Sequence, residues 1–443
     1  MPGMPARHAI ISTPVLARKG GPPTPESRPD SPPSRISLDR VAGGVNGGQL
    51  AVFNSLRRRA TGEGLPVYLV GGPVRDAVLD VPANDLDFVL TGDAPALAAD
   101  LAEELGGQVT VHPRFGTATV EVEGDRVDIV TARSEVYPFP GSLPEVSAGT
   151  LEDDLARRDF SINAMALPLS GDSPDVIDPH GGLQDLVNRS VATLHPGSFI
   201  DDPTRMLRAV RYEQRLGFQI SESTLSELKK TLDEGHADAV SGDRWRQEFQ
   251  KIFHEDRAVE MLLRAIELGA LSAVHPALSD GQGLTKLAGV GGLGPSDYLA
   301  ALAASLTAAD GAGLSRRLNL PSDWSRVVRD TIVLRETAPA ISGPSLRISA
   351  VCGLLDGLDP DAIAASARLS QDPLVVARLR QYLDEWRLVS PALTGDDLLA
   401  MGVSRGPKIG EVLRELNSAK LDGLAGTEEE ERALVNQIIS RGS

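Results

Sequence analysis

With 443 residues, 41% of them hydrophobic, the chain is long enough for roughly two to four domains, and no apolar run reaches the roughly 18–20 residues of a membrane span. Its single cysteine, Cys352, excludes an internal disulfide and a cysteine-based zinc site and points to a cytoplasmic protein without membrane contact. A net charge of -17 argues against a broad basic surface for nucleic acid, so any anion site has to be local.

In chain order, residues 1–46 are rich in Pro, Ser, Gly and Arg without helical or strand period, and read as a disordered tail, with a transit peptide as the minority reading. An amphipathic helix is expected around Leu50–Thr61. Short apolar runs bounded by turn signals follow at Val67–Val70, Leu86–Leu90, Ala118–Val122 and Val127–Val130, with helical spacing over Ala94–Leu105. This mixture predicts an α/β or α+β domain ending near Leu194. Beyond Asp201 the chain reads as helix after helix, divided by breaks near 219–222, 290–296, 318–322, 341–345 and 390–394.

Three basic clusters stand out: Arg57-Arg58-Arg59, Arg157-Arg158, and the series Arg205, Arg208, Arg211, Arg215. A charge run is usually a solvated face. The last series, spaced by three and four, places its guanidinium groups on one helical face, and a self-repelling stripe suggests an anionic ligand.

The segment Val67–Asp76 reads as a strand, a Gly71-Gly72 turn and a helix start with Pro73 in its first turn. Glycines let backbone N–H groups approach an anion, and Arg75 could pair with a phosphate through two nitrogens. Alone, a glycine pair is more often simply a turn. Asp85-Leu86-Asp87 is sharper. In a strand its two carboxylates share a face while Leu86, Phe88 and Leu90 face the other way. Adjacent carboxylates repel unless cations neutralise them, and magnesium prefers a few carboxylates with phosphate oxygens and water. Two such ions about 4 Å apart can activate a hydroxyl and stabilise a leaving pyrophosphate. Asp128, heading the run Ile129-Val130, could supply a third carboxylate. Glu152, Asp153 and Asp154 read as a cap and solvated start to the next helix, and the histidines as isolated groups without a phosphohydrolase pair.

Gly71-Gly72-x-Val74-Arg75-Asp76 followed by Asp85-x-Asp87 resembles the signature of the class II tRNA nucleotidyltransferases (CCA-adding enzymes) and bacterial poly(A) polymerases. His112-x-x-Phe115-Gly116-Thr117-Ala118 is similar to the segment before that family's third carboxylate. Arg157-Arg158-Asp159-x-x-x-Asn163-Ala164, Asp178-x-x-Gly181-Gly182, Asp201-Asp202-x-x-Arg205-x-x-Arg208-x-x-Arg211 and Asp243-Arg244-x-x-x-Glu248 resemble its later motifs. Gly406-Pro407-x-Ile409-Gly410 with Asp422-Gly423 resembles its C-terminal end. Asp201 and Asp243 replace the family's usual Glu, keeping charge and shortening reach.

The resemblance implies an α+β nucleotidyltransferase palm of the polymerase-beta-like kind followed by an all-α neck, body and tail. The boundaries expected are 47–196 for the palm, 197–262 for a neck that recognises the base, 263–388 for the body and 389–443 for a tail that binds tRNA. It implies addition of C and/or A of the CCA end to tRNA from CTP and ATP, with Mg2+ held by Asp85, Asp87 and Asp128. Gly72, Arg75 and Arg158 would contact phosphates and sugar, Asp159 and Asn163 would support the site, and Asp202 and Arg205 would present a donor–acceptor edge to cytosine or adenine, with Arg208 and Arg211 beside them. Poly(A) synthesis is the rival within the enzyme class, and a catalytically inactive RNA-binding module the rival outside it.

Overall fold

Short apolar runs separated by turns build a six-stranded mixed sheet in the N-terminal half. The computed structural model describes residues 33–45, 47–83, 85–112 and 116–441. The strands are β1 (Val67–Val70), β2 (Asp87–Leu90), β3 (Gln108–His112), β4 (Thr117–Val122), β5 (Asp125–Thr131) and, after the two-stranded ribbon of β6 (Arg133–Val136) and β7 (Glu145–Ala148), β8 (Ala166–Pro168). Their order across the sheet is β3-β4-β5-β2-β1-β8. All neighbours are antiparallel except β2 and β5, which run parallel.

One face is closed by the helices Gly47–Gly62 and Ala94–Leu105, whose Val52, Phe53, Leu56, Leu97 and Leu101 pack with Leu69, Phe88, Val120 and Ile129. Helix Ala94–Leu105 follows from its ends: the Asp93 side chain accepts from Ala96 N, and Gly106 terminates it in a left-handed conformation at φ 66°. The opposite face carries a smaller apolar cluster of Val70, Val89, Ala132, Leu151, Leu155 and Ala166, and leaves Asp87 and Asp128 exposed.

Two expectations need correction here. Order begins before residue 46: Ile36 N donates to Pro174 O (3.2 Å), Leu38 N donates to Asp172 O (3.0 Å), and helix Leu38–Gly43 buries Leu38 and Val41. Four apolar residues too widely spaced to show a period nevertheless reach the head core. Residues 1–32 and 46 of the expected tail lie outside the described residues. The helical half is also not wholly helical, because β9 (Ser190–Val191) pairs in parallel with β10 (Gln219–Ile220) at the expected break. The other breaks separate helices as expected, for example before Pro295–Ala303 and Ser322–Ile341. One apolar cluster runs from Ile36 to Tyr382, whereas the tail has its own core of Leu393, Leu398, Val403, Val412, Leu416 and Val435.

Candidate active site

The parallel pairing of β2 and β5 puts Asp87 directly beside Asp128, and antiparallel β4 puts Thr119 beside Asp128 on its other side. Adjacent strands lie about 4.8 Å apart, so three polar side chains form a row on the open face. Thr119 donates to Asp128 Oδ1 at 2.6 Å and fixes that carboxylate. Asp85 falls in the bend before β2 rather than in the strand, which starts at Asp87. Although Asp87 reaches water, the surrounding walls strip part of its hydration. That loss, with Asp128 and Asp85 nearby and only partly offset by Arg158, pushes its carboxyl from 3.8 up to about 6. Among the described residues no ready-made group of metal-ligating side chains is drawn together. Repelling carboxylates are expected to stay apart without a cation, and this row of oxygen donors with a reluctantly ionised centre fits a divalent one.

Arg158 connects this row to the glycine turn. Its Nη2 donates to Asp154 Oδ2 at 3.0 Å and its Nη1 to Asn163 O at 3.3 Å, while its buried Nε has no hydrogen-bond partner among the described residues. Gly71 has φ 73° and ψ -128°, and a Cβ there would stand 2.6 Å from Arg158 Nη1. The requirement for glycine therefore lies at Gly71. At Gly72 a Cβ would make only ordinary contact with Arg75 Nη2, at 3.6 Å.

A continuous chain of polar contacts runs behind the turn. Arg75 donates to Asp76 Oδ1 (2.9 Å) and Asn163 Oδ1 (2.7 Å), and Asn163 donates to Asp159 Oδ1 (3.2 Å). Arg208 pairs with Asp159 Oδ2 at 2.6 Å. Burial alone would raise the Asp159 carboxyl, but Arg208, Arg205 and the Asn163 bond outweigh it and hold it below the usual range. Arg75 is thus buried and engaged, against the expectation of a guanidinium free for phosphate.

The arginine stripe is corrected in the same way. Arg205 is buried, donating to Ser198 Oγ (2.6 Å) and Arg157 O (2.9 Å). Arg211 pairs with Glu248 (3.0 Å) and Arg215 with Glu255. Each member has a partner, so no repelling stripe faces an anion. Asp202 Oδ1 accepts from Thr204 N (3.0 Å) and Thr204 Oγ1 (2.6 Å) and pairs with Arg244 (2.8 Å), so Asp202 and Arg205 do not form a free base-reading edge in this conformation. Arg57 pairs with Asp39 and Asp172, and Arg58 and Arg59 with Glu104, the ordinary fate of a surface cluster.

Sequence reasoning missed several of these groups. Asp153 caps its helix with Thr150, as expected, but Asp154 is fully buried and holds both Arg157 (2.6 Å) and Arg158 (3.0 Å). The three- and four-residue spacings were a visible signal for that pairing. Glu135, which accepts from Arg157 (3.1 Å) and Tyr137 (3.2 Å), gave no such local sign, and Arg244, although part of a recognised motif, gave none of its pairing with Asp202. Pro113–Phe115 of the expected loop motif lie outside the described residues.

Comparison with known proteins decides the family. Residues 67–192 match the family described as "Poly A polymerase head domain" and residues 217–281 the one described as "Probable RNA and SrmB- binding site of polymerase A". The CC-adding tRNA nucleotidyltransferase of Deinococcus radiodurans is 32% identical over 88% of this chain and 93% of its own length. The chain belongs to the tRNA nucleotidyltransferase family. An A-adding tRNA nucleotidyltransferase of Geobacter sulfurreducens is 33% identical over 84% of this chain, which spans only 45% of that relative. The solved structure of the Thermotoga maritima CCA-adding enzyme complexed with tRNA superposes with a TM-score of 0.71 at 28% identity, covering 91% of this chain and 99% of that one. Family membership accounts for the α+β head followed by a helical remainder. No helix among the described residues is long and apolar enough to cross a membrane.

Proposed function

We propose that the chain is a cytoplasmic, template-independent nucleotidyltransferase that adds C and/or A of the CCA end to tRNA from CTP and ATP, releasing pyrophosphate. The observation that carries this reading is the row of Asp87 and Asp128 in register on parallel strands, with Asp85 before it and the unpartnered Nε of Arg158 beside it.

In this reading Asp85, Asp87 and Asp128 hold magnesium. A bound divalent cation supplies neutralisation and Lewis-acid polarisation of phosphate oxygens. The RNA 3′-hydroxyl gives its proton to Asp128 and attacks the α-phosphorus, and the bond to pyrophosphate breaks on the opposite side. Thr119 keeps Asp128 aimed at the reacting centre. Arg158 donates to a phosphate oxygen, which requires its guanidinium to turn so that the buried Nε is uncovered and gains the partner it lacks. Gly71 leaves room for that guanidinium, and Gly72 opens the turn toward the phosphates. Arg75, Asn163, Asp159 and Arg208 act from behind, holding the turn against the neck helix Arg205–Leu216. Catalysis comes from positioning and electrostatics, since phosphoryl transfer asks little covalent chemistry of the protein. Asp202 accepts from the exocyclic amine of cytosine or adenine. Reading the base through Arg205 requires its guanidinium to exchange Ser198 and the Arg157 carbonyl for the base, with Arg211 keeping the helix in place through Glu248.

The test is extension of tRNAs that lack all, or only the last, of the three terminal nucleotides, with magnesium and CTP, ATP or both. Growth of the RNA confined to cytosine and adenine supports the reading. Long tracts of A would instead name a poly(A) polymerase, and absence of growth on every RNA would name a binding module.

A further inference from the structure

The segment joining β6 to β7 runs Tyr137-Pro138-Phe139-Pro140-Gly141-Ser142-Leu143 and is fixed through its backbone. Ser142 N donates to Phe139 O at 3.1 Å and Gly141 N to Ile200 O at 3.0 Å. Arg244 donates from Nη1 to Gly141 O at 2.7 Å, and its Nη2 lies 2.8 Å from Asp202 Oδ1. Gly141 has φ 68°, and a Cβ there would meet Ala239 Cβ at 3.0 Å, so the turn is seated closely on the neck. One guanidinium thus ties this turn to the carboxylate that faces the base in the reading above.

Anchoring by backbone buries Ser142 but leaves three apolar side chains outside. Phe139 is 66% exposed, flanked by Val136 at 62% and Leu143 at 60%. A single exposed apolar residue is ordinary. Here, however, an aromatic ring between two prolines, whose fixed φ stiffens the turn, is held in water on a turn that Arg244 ties to Asp202. A chain of net charge -17 also has little general attraction for RNA and needs contacts that do not depend on charge. Stacking of a base on an aromatic face is such a contact, and it tolerates any base.

We propose that Phe139 is the stacking platform for the unpaired 3′-terminal base of the acceptor RNA, with Val136 and Leu143 widening the apolar shelf. The proposal rests on the RNA 3′-end reading. The occupant is an unpaired base rather than a protein because the turn that carries the shelf is bound, through Arg244, to Asp202, the carboxylate that faces the base in the reading above.

The test uses full-length Phe139→Ala and Phe139→Trp with two titrants, an acceptor-stem RNA hairpin with an unpaired 3′ extension and the same hairpin ending blunt. Phe139→Ala is expected to raise the KM for the extended hairpin by on the order of 10-fold while the KM for CTP and ATP stays unchanged. Phe139→Trp is expected to restore the KM, and its added fluorescence to be quenched by the extended hairpin but not by the blunt one. An unchanged RNA KM in Phe139→Ala, or equal quenching by both hairpins, overturns the proposal. So does loss of a wild-type dimer in Phe139→Ala without an effect on RNA, which would make the shelf a contact between copies. The fluorescence titration needs no turnover. A wild-type protein that extends no RNA, with quenching still specific to the extended hairpin, therefore defeats the function reading and leaves the platform standing.

Discussion

Asp87 on β2 and Asp128 on β5 are partners across a parallel strand pair, and Thr119 fixes Asp128 from the strand beyond. Loss of hydration first, and the nearby Asp128 and Asp85 after it, make ionising Asp87 costly and raise its carboxyl, a cost that a cation recovers.

The pH dependence follows from the direction of that shift. Because folding raises the Asp87 value, its stabilising contribution is complete below pH 3.8 and is lost as the pH climbs through about 6. Asp87→Asn is therefore expected to raise Tm relative to wild type at pH 7.5 in chelator, and to do so less at pH 4.5. Added magnesium should raise the wild-type Tm at pH 7.5, since ligands must be ionised to bind it, and leave the variant unmoved. Differential scanning fluorimetry across that pH range decides it; equal magnesium shifts in both proteins would contradict the assignment.

Gly71→Ala combines a backbone penalty with a collision. The positive φ costs about 1–3 kcal/mol for a residue with a side chain, and the new Cβ would press on Arg158 Nη1. Chemical denaturation should show that loss, and the KM for the nucleotide should rise because Arg158 is displaced. Gly72→Ala is expected to fold normally.

Asp154 is buried under Arg157 and Arg158. Asp154→Asn weakens two ion pairs at once and is expected to lower stability by about 3 kcal/mol. Its nucleotide KM should also rise, although the residue does not line the cleft, because Arg158 loses its anchor. Wild-type nucleotide affinity in this variant would argue against Arg158 as the phosphate contact.

Arg208→Ala leaves Asp159 buried without its main counter-charge, which typically costs about 3–5 kcal/mol. Asp159 is held low in the wild type, so its contribution is present above the ordinary carboxylate value and lost as the pH falls. Wild-type protein should therefore lose more stability than the variant on acidification below pH 4. Urea titrations at several pH values measure the difference.

The sheet was legible where burial left a pattern. The run Val67–Val70 and the helix Ala94–Leu105 were located to the residue, because one is a continuous apolar run and the other repeats at helical spacing against the core. Strand β3 was not legible, since all its residues are exposed at the sheet edge and no buried face shapes their order. In the site, the paired aspartates showed through their spacing. The partners of Arg75, Arg205 and Arg211 did not: Asn163 and Glu248 lie far along the chain, and Ser198, though only seven residues before Arg205, sits on a separate short helix that folding turns back onto it. A stripe of arginines at helical spacing looks the same whether it faces a phosphate or a set of buried acids.

The central claim is that the Asp85, Asp87 and Asp128 face transfers nucleotides to an RNA 3′ end. The most direct measurement is incorporation of α-labelled CTP and ATP into tRNA lacking its terminal nucleotides, by wild type and by Asp87→Asn and Asp128→Asn side by side. The account predicts labelled tRNA with the wild type and a loss of on the order of 100- to 1,000-fold in each variant, with the fold retained by circular dichroism. Undiminished incorporation in both variants, or none by the wild type, would contradict it.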